Sequence, residues 1–323
     1  MEKVRIGVIG VGHLGKYHAA KYAAMEDVEL VGVADIDPRA ADAIARQHGV
    51  TPYGDYQQML PLVDAVSIVV PTVHHHRVAM ECLRQGIDIM LEKPMTTTLA
   101  EADELIARAA AERRILQVGH IERYNPAVTA LEQYLTRPLF IESHRIHVFK
   151  PRGLDVDVVL DLMIHDIDII LSIVDSPISS MHTVGVPVIT PSTDIANARI
   201  IFENGCTANI TVSRVSKDNV RRLRIFQPRC YLSLDYAEKS LMIIRLKDQL
   251  NDQGLPQEEI THHKLPEQDA LEAELRDFAN NVRHRTTPKV DGVQGRRALQ
   301  VAQEIMTQID ENFRRYSDVL QRS

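Results

Sequence analysis

Tryptophan is absent from this 323-residue chain and aromatic residues make up only 5% of it, so its core must be mostly aliphatic. Cysteine is also scarce. Cys82, Cys206 and Cys230 lie far apart with no CxxC spacing, which predicts buried thiols in a reducing compartment. A basic excess is missing as well. The formal charge of −7 and pI near 6.1 speak against a nucleic-acid partner. No apolar run approaches the ~18 residues needed to cross a bilayer. No cationic, apolar leader precedes the first strand at about Val4. The expectation is a cytoplasmic protein with no membrane segment.

What is present is a globular balance, 45% hydrophobic and 25% charged, in a chain long enough for two domains. Up to about residue 120, short apolar runs alternate with amphipathic helical stretches, the pattern of a parallel sheet with crossover helices. Strands are predicted at residues 4–9, 28–34, 65–70, 87–91 and 115–118, and helices at 13–24, 38–48, 75–85 and 99–113. The rhythm then changes. After a helix at 126–135 and a strand at 139–148 comes an apolar helix at 158–174. Six strand-like runs follow between 181 and 245, then a loop at 251–266, and helices at 269–282 and 293–313. The expected architecture is an α/β Rossmann domain with a parallel sheet over residues 1–121. An α+β substrate and oligomerisation domain with a large, open, mostly antiparallel sheet follows over 122–323, its C-terminal helix packing back on the first domain.

Gly10-Val11-Gly12-His13-Leu14-Gly15 is a GxGxxG that directly follows a predicted strand and opens a predicted helix. In that setting the first glycine makes the turn, the second admits a pyrophosphate and the third allows close helix–strand contact. Asp35 lies 20 residues beyond Gly15 at the end of the second strand. There a carboxylate accepts from a ribose 2′-hydroxyl and repels a 2′-phosphate. The cofactor is therefore expected to be NAD. Asp37, followed by Pro38, has the pattern of a helix N-cap.

Three further stretches complete a resemblance: Pro71-Thr72…His75 after the predicted strand at 65–70, Glu92-Lys93-Pro94 at the end of that at 87–91, and Asp161…His165…Asp168 on the apolar helix. The chain resembles the Gfo/Idh/MocA oxidoreductases over nearly its whole length. Met163 stands where that family has glycine. The resemblance implies a nicotinamide site that also uses Pro71, Thr72, His75, Glu92 and Lys93. It implies a cis Lys93–Pro94 peptide, and Lys93, Asp161 and His165 beside the nicotinamide. Residues 118–126 and 155–168 resemble the branch that oxidises the 3-hydroxyl of UDP-N-acetylglucosamine in lipid A precursor synthesis. Inositol or other sugar dehydrogenation, or a non-catalytic NAD(H)-binding regulator, are the alternatives.

Asp161 and His165 share a helix face. Five ionisable groups interrupt or end this apolar helix: Asp161, His165, Asp166, Asp168 and Asp175. They must either line a polar cleft or be paired. The expected chemistry is oxidation of a secondary alcohol on a sugar ring, with Lys93 and His165 as the proton-handling pair and Asp161 as their orienter. A nucleotide-sugar substrate needs cations for its diphosphate, for which Arg123, Lys150 and Arg152 are candidates, while Tyr124 and Asn125 are candidates for sugar or uracil contact. No metal is expected. His74-His75-His76 diverge around a helix start, and His262-His263 read as a solvated loop. The open sheet, by the resemblance, predicts a homodimer or homotetramer.

Overall fold

The computed structural model describes residues 3–149 and 156–322, with side chains as far as 315. It divides into two compact units, Met1–Tyr124 with Asp269–Arg297, and Asn125–Gln268 with Ala298–Ser323.

The first unit is built on six parallel strands: β1 (Val4–Ile9), β2 (Val28–Ala34), β3 (Thr51–Tyr53), β4 (Ala65–Ile68), β5 (Asp88–Glu92) and β6 (Leu116–Gly119). They lie in the order β3-β2-β1-β4-β5-β6. The order reverses direction between β1 and β4, and such a switch point opens a crevice at the carboxyl ends of the strands. The central strands are buried on both faces; Ile6, Val8, Val66, Ile68, Ile89 and Leu91 are sealed from solvent. Strand β3, three residues long with Pro52 in its middle, is absent from the sequence expectation because so short a segment carries no periodicity.

Five helices belong to this unit: α1 (Gly15–Ala24), α2 (Pro38–His48), α3 (His75–Arg84), α4 (Leu99–Ala111) and α7 (Ala270–His284). The last lies far along the chain and was assigned by sequence to the second domain. Its apolar stripe Leu275, Phe278, Ala279 and Val282 joins Ala19 and Tyr22 of α1 over β1 and β2 in one core. Arg283 fastens its end to Asp27 at 2.8 Å. The distance in sequence hid this partnership, since an amphipathic stripe does not name the face it will cover.

The second unit holds an eight-stranded sheet in the order β14-β13-β12-β11-β7-β10-β9-β8. Its strands are β7 (Phe140–Ile146), β8 (Ile178–Val186), β9 (Ile195–Phe202), β10 (Thr207–Ser213), β11 (Val220–Gln227), β12 (Cys230–Asp235), β13 (Ser240–Leu250) and β14 (Pro256–Lys264). All pairings are antiparallel except β7 with β10. One face packs on α5 (Pro126–Glu132), α6 (Ile164–Ile173) and α8 (Gly292–Arg322) through an aliphatic core that includes Ile141, Ile167, Ile210, Leu232 and Ile305. The expected loop at 251–266 is instead mostly strand. β13 runs on to Leu250 and pairs with β14 in a hairpin, Ile244 opposite Ile260. Its far end is exposed on both faces, so the inside–outside alternation that marks a strand in sequence never appears.

Asp194 anchors the connection between β8 and β9. Its buried carboxylate accepts the N–H groups of Val188, Ile189 and Thr190 at 2.8, 2.6 and 2.8 Å, and the Thr190 hydroxyl at 2.7 Å. Burial pushes this carboxyl up, but the donors outweigh it and hold its pKa at about 2. A carboxyl depressed by folding stabilises above its unfolded value near 3.9 and loses that contribution as pH falls through the folded value. Asp194→Asn is therefore expected to cost about 1–3 kcal/mol at neutral pH. In urea denaturation, its deficit against the parent protein should shrink between about pH 4 and pH 2. A deficit constant over that window would contradict this assignment.

Candidate active site

Strand β1 ends in the glycine turn, and each glycine there has a different surrounding. Gly10 has φ +87°, and a Cβ on it would lie 2.6 Å from the Val69 carbonyl oxygen. A Cβ on Gly15 would lie 1.8 Å from the Gly10 carbonyl oxygen, so α1 is pressed against the turn. Gly12 is exposed, and a Cβ there would meet nothing within 4 Å. The fold itself needs glycine at 10 and 15. At 12 the fold makes no such demand, and the backbone lies open.

Helix α1 starts without a side-chain cap and with no acid in its first turn. By contrast α2, α4 and α7 are capped by Asp37, Thr98 and Asp269. Free N–H groups at a positive dipole end suit a phosphate. Beside the turn opens a cleft of about 220 Å³, lined by Gly10, Gly12, Asp35, Ile36, Pro71 and His74 among others. Asp35 is held in place by two backbone donors, Val11 N–H to Oδ2 at 2.8 Å and Asp37 N–H to Oδ1 at 2.9 Å. A dinucleotide fits this donor set: open backbone and a helix end for the diphosphate, and a fixed carboxylate for the adenosine ribose.

Sequence reasoning found the glycines and Asp35 but missed Ile36, Gly54, Tyr56 and Arg77, which also line the cleft. Ile36 is 95% exposed, an apolar side chain left bare beside an acid, which in retrospect is a signal. His13 and Leu14 project outward, the His13 ring edge-on to Tyr17 at 6.0 Å. Pro71 is exposed and Thr72 half-buried where β4 gives way to α3.

His75 is 1% exposed, and its ring nitrogens lie 2.9 Å from the Pro94 carbonyl and 2.8 Å from the Val70 carbonyl. Burial drives its pKa down, against those two carbonyls. A neutral ring donates its one N–H to one of these carbonyls and sits between the end of β4 and the turn that carries Lys93. The Lys93–Pro94 peptide is cis, as the resemblance implies. Lys93 is half-buried, and its N–H donates to the Glu92 carboxylate at 3.2 Å.

In the second unit, the expected helix at 158–174 opens with a π turn, Val159–Met163, before α6. The apolar pairs that reach the core, Val158-Val159 and Met163-Ile164, recur after five residues. A turn with i→i+5 bonding meets that spacing where an α turn would not. Met163 is one of those core residues and is fully buried. The ionisable groups sort into two sets. Asp166 is 1% exposed and forms a two-pronged pair with Arg145 of β7 at 2.8 and 3.2 Å. Asp168 is 3% exposed. Asp161 and His165 are half-buried, on the side of the helix turned from the core. Pairing therefore accounts for Asp166. The chain leading into this helix is held by Arg214, which donates to the Val156 carbonyl and lies 3.7 Å from Asp194.

The substrate candidates separate as well. The Tyr124 hydroxyl is buried and donates to Asp277 at 2.7 Å. Asn125 caps α5, accepting the Ala127 N–H at 3.0 Å. Both polar ends are used by the fold. Arg123 is 7% exposed. Lys150 and Arg152 lie outside the described residues. The supposed loop histidine His263 sits on β14, with Nε2 3.2 Å from the Tyr134 hydroxyl.

Residues 4–120 match the oxidoreductase family with an NAD-binding Rossmann fold, and residues 133–230 match the GFO/IDH/MocA C-terminal domain. Over 311 residues the chain is 38% identical to UDP-N-acetylglucosamine 3-dehydrogenase of Acidithiobacillus ferrooxidans, spanning 96% of this chain and 98% of that protein. The chain belongs to the Gfo/Idh/MocA family. A solved structure of that Acidithiobacillus enzyme superposes with a TM-score of 0.91, covering 96% of this chain and 99% of that one. Myo-inositol 2-dehydrogenase of Thermotoga maritima is 24% identical over 92% of this chain and 93% of its own length. As a Gfo/Idh/MocA protein, the chain is an oxidoreductase with a nicotinamide cofactor and a small-molecule substrate. No described helix is long and apolar enough to cross a membrane.

The different surroundings of the glycines make a prediction. Gly12→Ala should leave unliganded stability within about 0.5 kcal/mol of the parent while weakening NADH binding by about tenfold or more, ~1.4 kcal/mol. Gly15→Ala should destabilise the unliganded protein itself. Titration calorimetry and thermal unfolding read the two effects separately, and equal NADH affinity in Gly12→Ala would refute the phosphate placement.

Proposed function

We propose that the protein oxidises the 3-hydroxyl of UDP-N-acetylglucosamine to the 3-keto sugar, with NAD as hydride acceptor. The observation that carries the substrate is the 38% identity to UDP-N-acetylglucosamine 3-dehydrogenase, sustained over 96% of the chain. Asp35 supports NAD over NADP. Its carboxylate, fixed by the Val11 and Asp37 N–H groups, accepts from a 2′-hydroxyl and sets a negative charge against a 2′-phosphate.

A bound nicotinamide would supply the acceptor for the hydride of the alcohol carbon. The alcohol proton falls to this chain's own residues. Lys93 and His165 handle it, and Asp161, one turn before His165 and on the same half-buried side, orients them. Imidazole ordinarily titrates near pH 6.5 and so exchanges protons at neutral pH. An ammonium offers three donors to an alcohol oxygen. Lys150 and Arg152 are proposed for the substrate diphosphate. A homo-oligomer in the cytoplasm completes the reading. Its support is the sheet face turned from the helices, where Phe140, Phe226 and Tyr231 stack with centroids 5.6 and 4.9 Å apart.

The test is NADH formation from NAD with UDP-N-acetylglucosamine or with myo-inositol. Turnover should require the nucleotide sugar. Turnover with inositol alone would overturn the substrate, and tight NADH binding without turnover on any polyol would mark a regulator. Lys93→Met and His165→Asn should each lower kcat by about 10²- to 10⁴-fold with NADH affinity nearly unchanged, and full activity in both would remove the mechanism. NADP should bind more weakly than NAD, a preference that Asp35→Ser should erode.

A further inference from the structure

Behind Lys93, in the first unit, runs a line of buried polar side chains that the proposed reaction does not use. His18 and Tyr22 stand one turn apart on α1 and are 1% and 0% exposed. The Tyr22 hydroxyl lies 2.8 Å from Ser67 Oγ on β4, and that oxygen lies 3.3 Å from His18 Nδ1. His18 Nε2 lies 3.2 Å from Glu92 Oε1 at the end of β5. The other Glu92 oxygen accepts the Lys93 N–H at 3.2 Å.

Counting protons gives this line a direction. A carboxylate only accepts, so His18 Nε2 carries a hydrogen and donates it. In a neutral ring Nδ1 is then the acceptor, taking the Ser67 hydroxyl hydrogen, and Ser67 Oγ in turn accepts from Tyr22. Burial pushes the Tyr22 phenol far up, so its proton stays in place. Each bond in the series points toward Glu92 and polarises the next. Burial also pushes the Glu92 carboxyl up. The His18 hydrogen bond, the Lys93 charge and the Lys93 N–H outweigh it and hold the carboxyl below its usual range. A Cβ on Gly119 of β6 would lie 3.1 Å from the Glu92 carboxyl carbon, so bare backbone closes the other side. Two further groups bear on the series. His75 of α3 feels the Glu92 charge, and Tyr22 feels Glu274 of α7.

We propose that His18 is a positioning residue of the reaction: through Glu92 it keeps a fixed negative charge beside Lys93, so that Lys93 works as an ammonium donating to the alcohol oxygen while His165 takes the alcohol proton. A nearby opposite charge favours the charged form of a side chain. The Glu92 bond to the Lys93 N–H fixes where that side chain begins. This inference rests on the reading of Lys93 as a catalytic residue.

The test uses His18→Leu, His18→Gln, Glu92→Gln and Lys93→Met in the full chain. For each, kcat and KM are measured between about pH 6 and 9, the range in which a desolvated carboxyl titrates, with NADH affinity followed by fluorescence. In His18→Leu the carboxyl loses its donor and takes up a proton near neutrality. Its kcat should fall on the order of 10²-fold at neutral pH, with NADH affinity unchanged, and recover as rising pH ionises Glu92. Gln at position 18 offers an N–H at similar reach and should restore most of kcat. Glu92→Gln cannot ionise and should stay impaired at every pH. Parent-like kcat in His18→Leu would overturn the proposal, as would a pH-independent loss that Gln does not rescue. Should His18→Leu fail to fold, His18→Gln against Glu92→Gln gives the same contrast. Full activity in Lys93→Met would instead remove the reading of Lys93, leaving the two failures distinguishable.

Discussion

Helix α1 lies so close to the turn after β1 that position 15 has no room for a side chain; a Cβ there would sit 1.8 Å from a carbonyl oxygen. Much of the first unit follows from that approach. It aims the uncapped amino end of the helix along the exposed backbone at Gly12. It also drives the next turn, His18 and Tyr22, into the sheet, where they meet Ser67 and Glu92. One steric fact thus organises both the proposed diphosphate cradle on the outside of the helix and the polar series on its inside. Close packing makes such a contact all-or-none, because a core this dense has no slack to absorb a methyl group.

The second unit handles charge by a different rule. Its site helix is apolar enough that any ionised group on it must be paired or left at the surface. Asp166 takes the first course with Arg145, each all but sealed from solvent. Asp161 and His165 are only half-buried. A buried pair is weak evidence of stability, yet removing one member strands the other, which is costly. The Arg145–Asp166 bond therefore fixes the rotation of the helix about its axis, and with it the side on which Asp161 and His165 emerge.

The parallel sheet and its glycine turn were legible in sequence because they obey local rules: β-branched runs, helical periodicity, and glycines in register with a strand and an acid. The Asp37 cap was legible for the same reason, as two adjacent residues state it. What escaped the sequence was non-local or without pattern. Helix α7 joins the first core from 269 onward because Leu275 and Phe278 match the surface left by Ala19 and Tyr22, a fit no spacing encodes. The far end of the β13–β14 hairpin is exposed on both faces and so has no alternation to read. At the site, motif residues were found and their supporting partners were not. His18 lies three residues past the fingerprint, within an unremarked helix, and only the meeting of α1, β4 and β5 gives it a role.

The same distinction explains why family motifs overstate some residues. His75 belongs to a motif segment, and its sequence position suggests contact with the cofactor or substrate. In the fold both its nitrogens face backbone carbonyls, of Val70 and of Pro94. Those carbonyls flank the two places where chemistry is expected, the end of β4 at the cleft and the turn that bears Lys93. A ring lying between them sets their spacing. Tyr124 and Asn125 belong with it, since their polar atoms are used by Asp277 and by the start of α5. A motif marks where a fold can least tolerate change. Whether that intolerance comes from a ligand or from the backbone is decided by where the side chain's hydrogen bonds go.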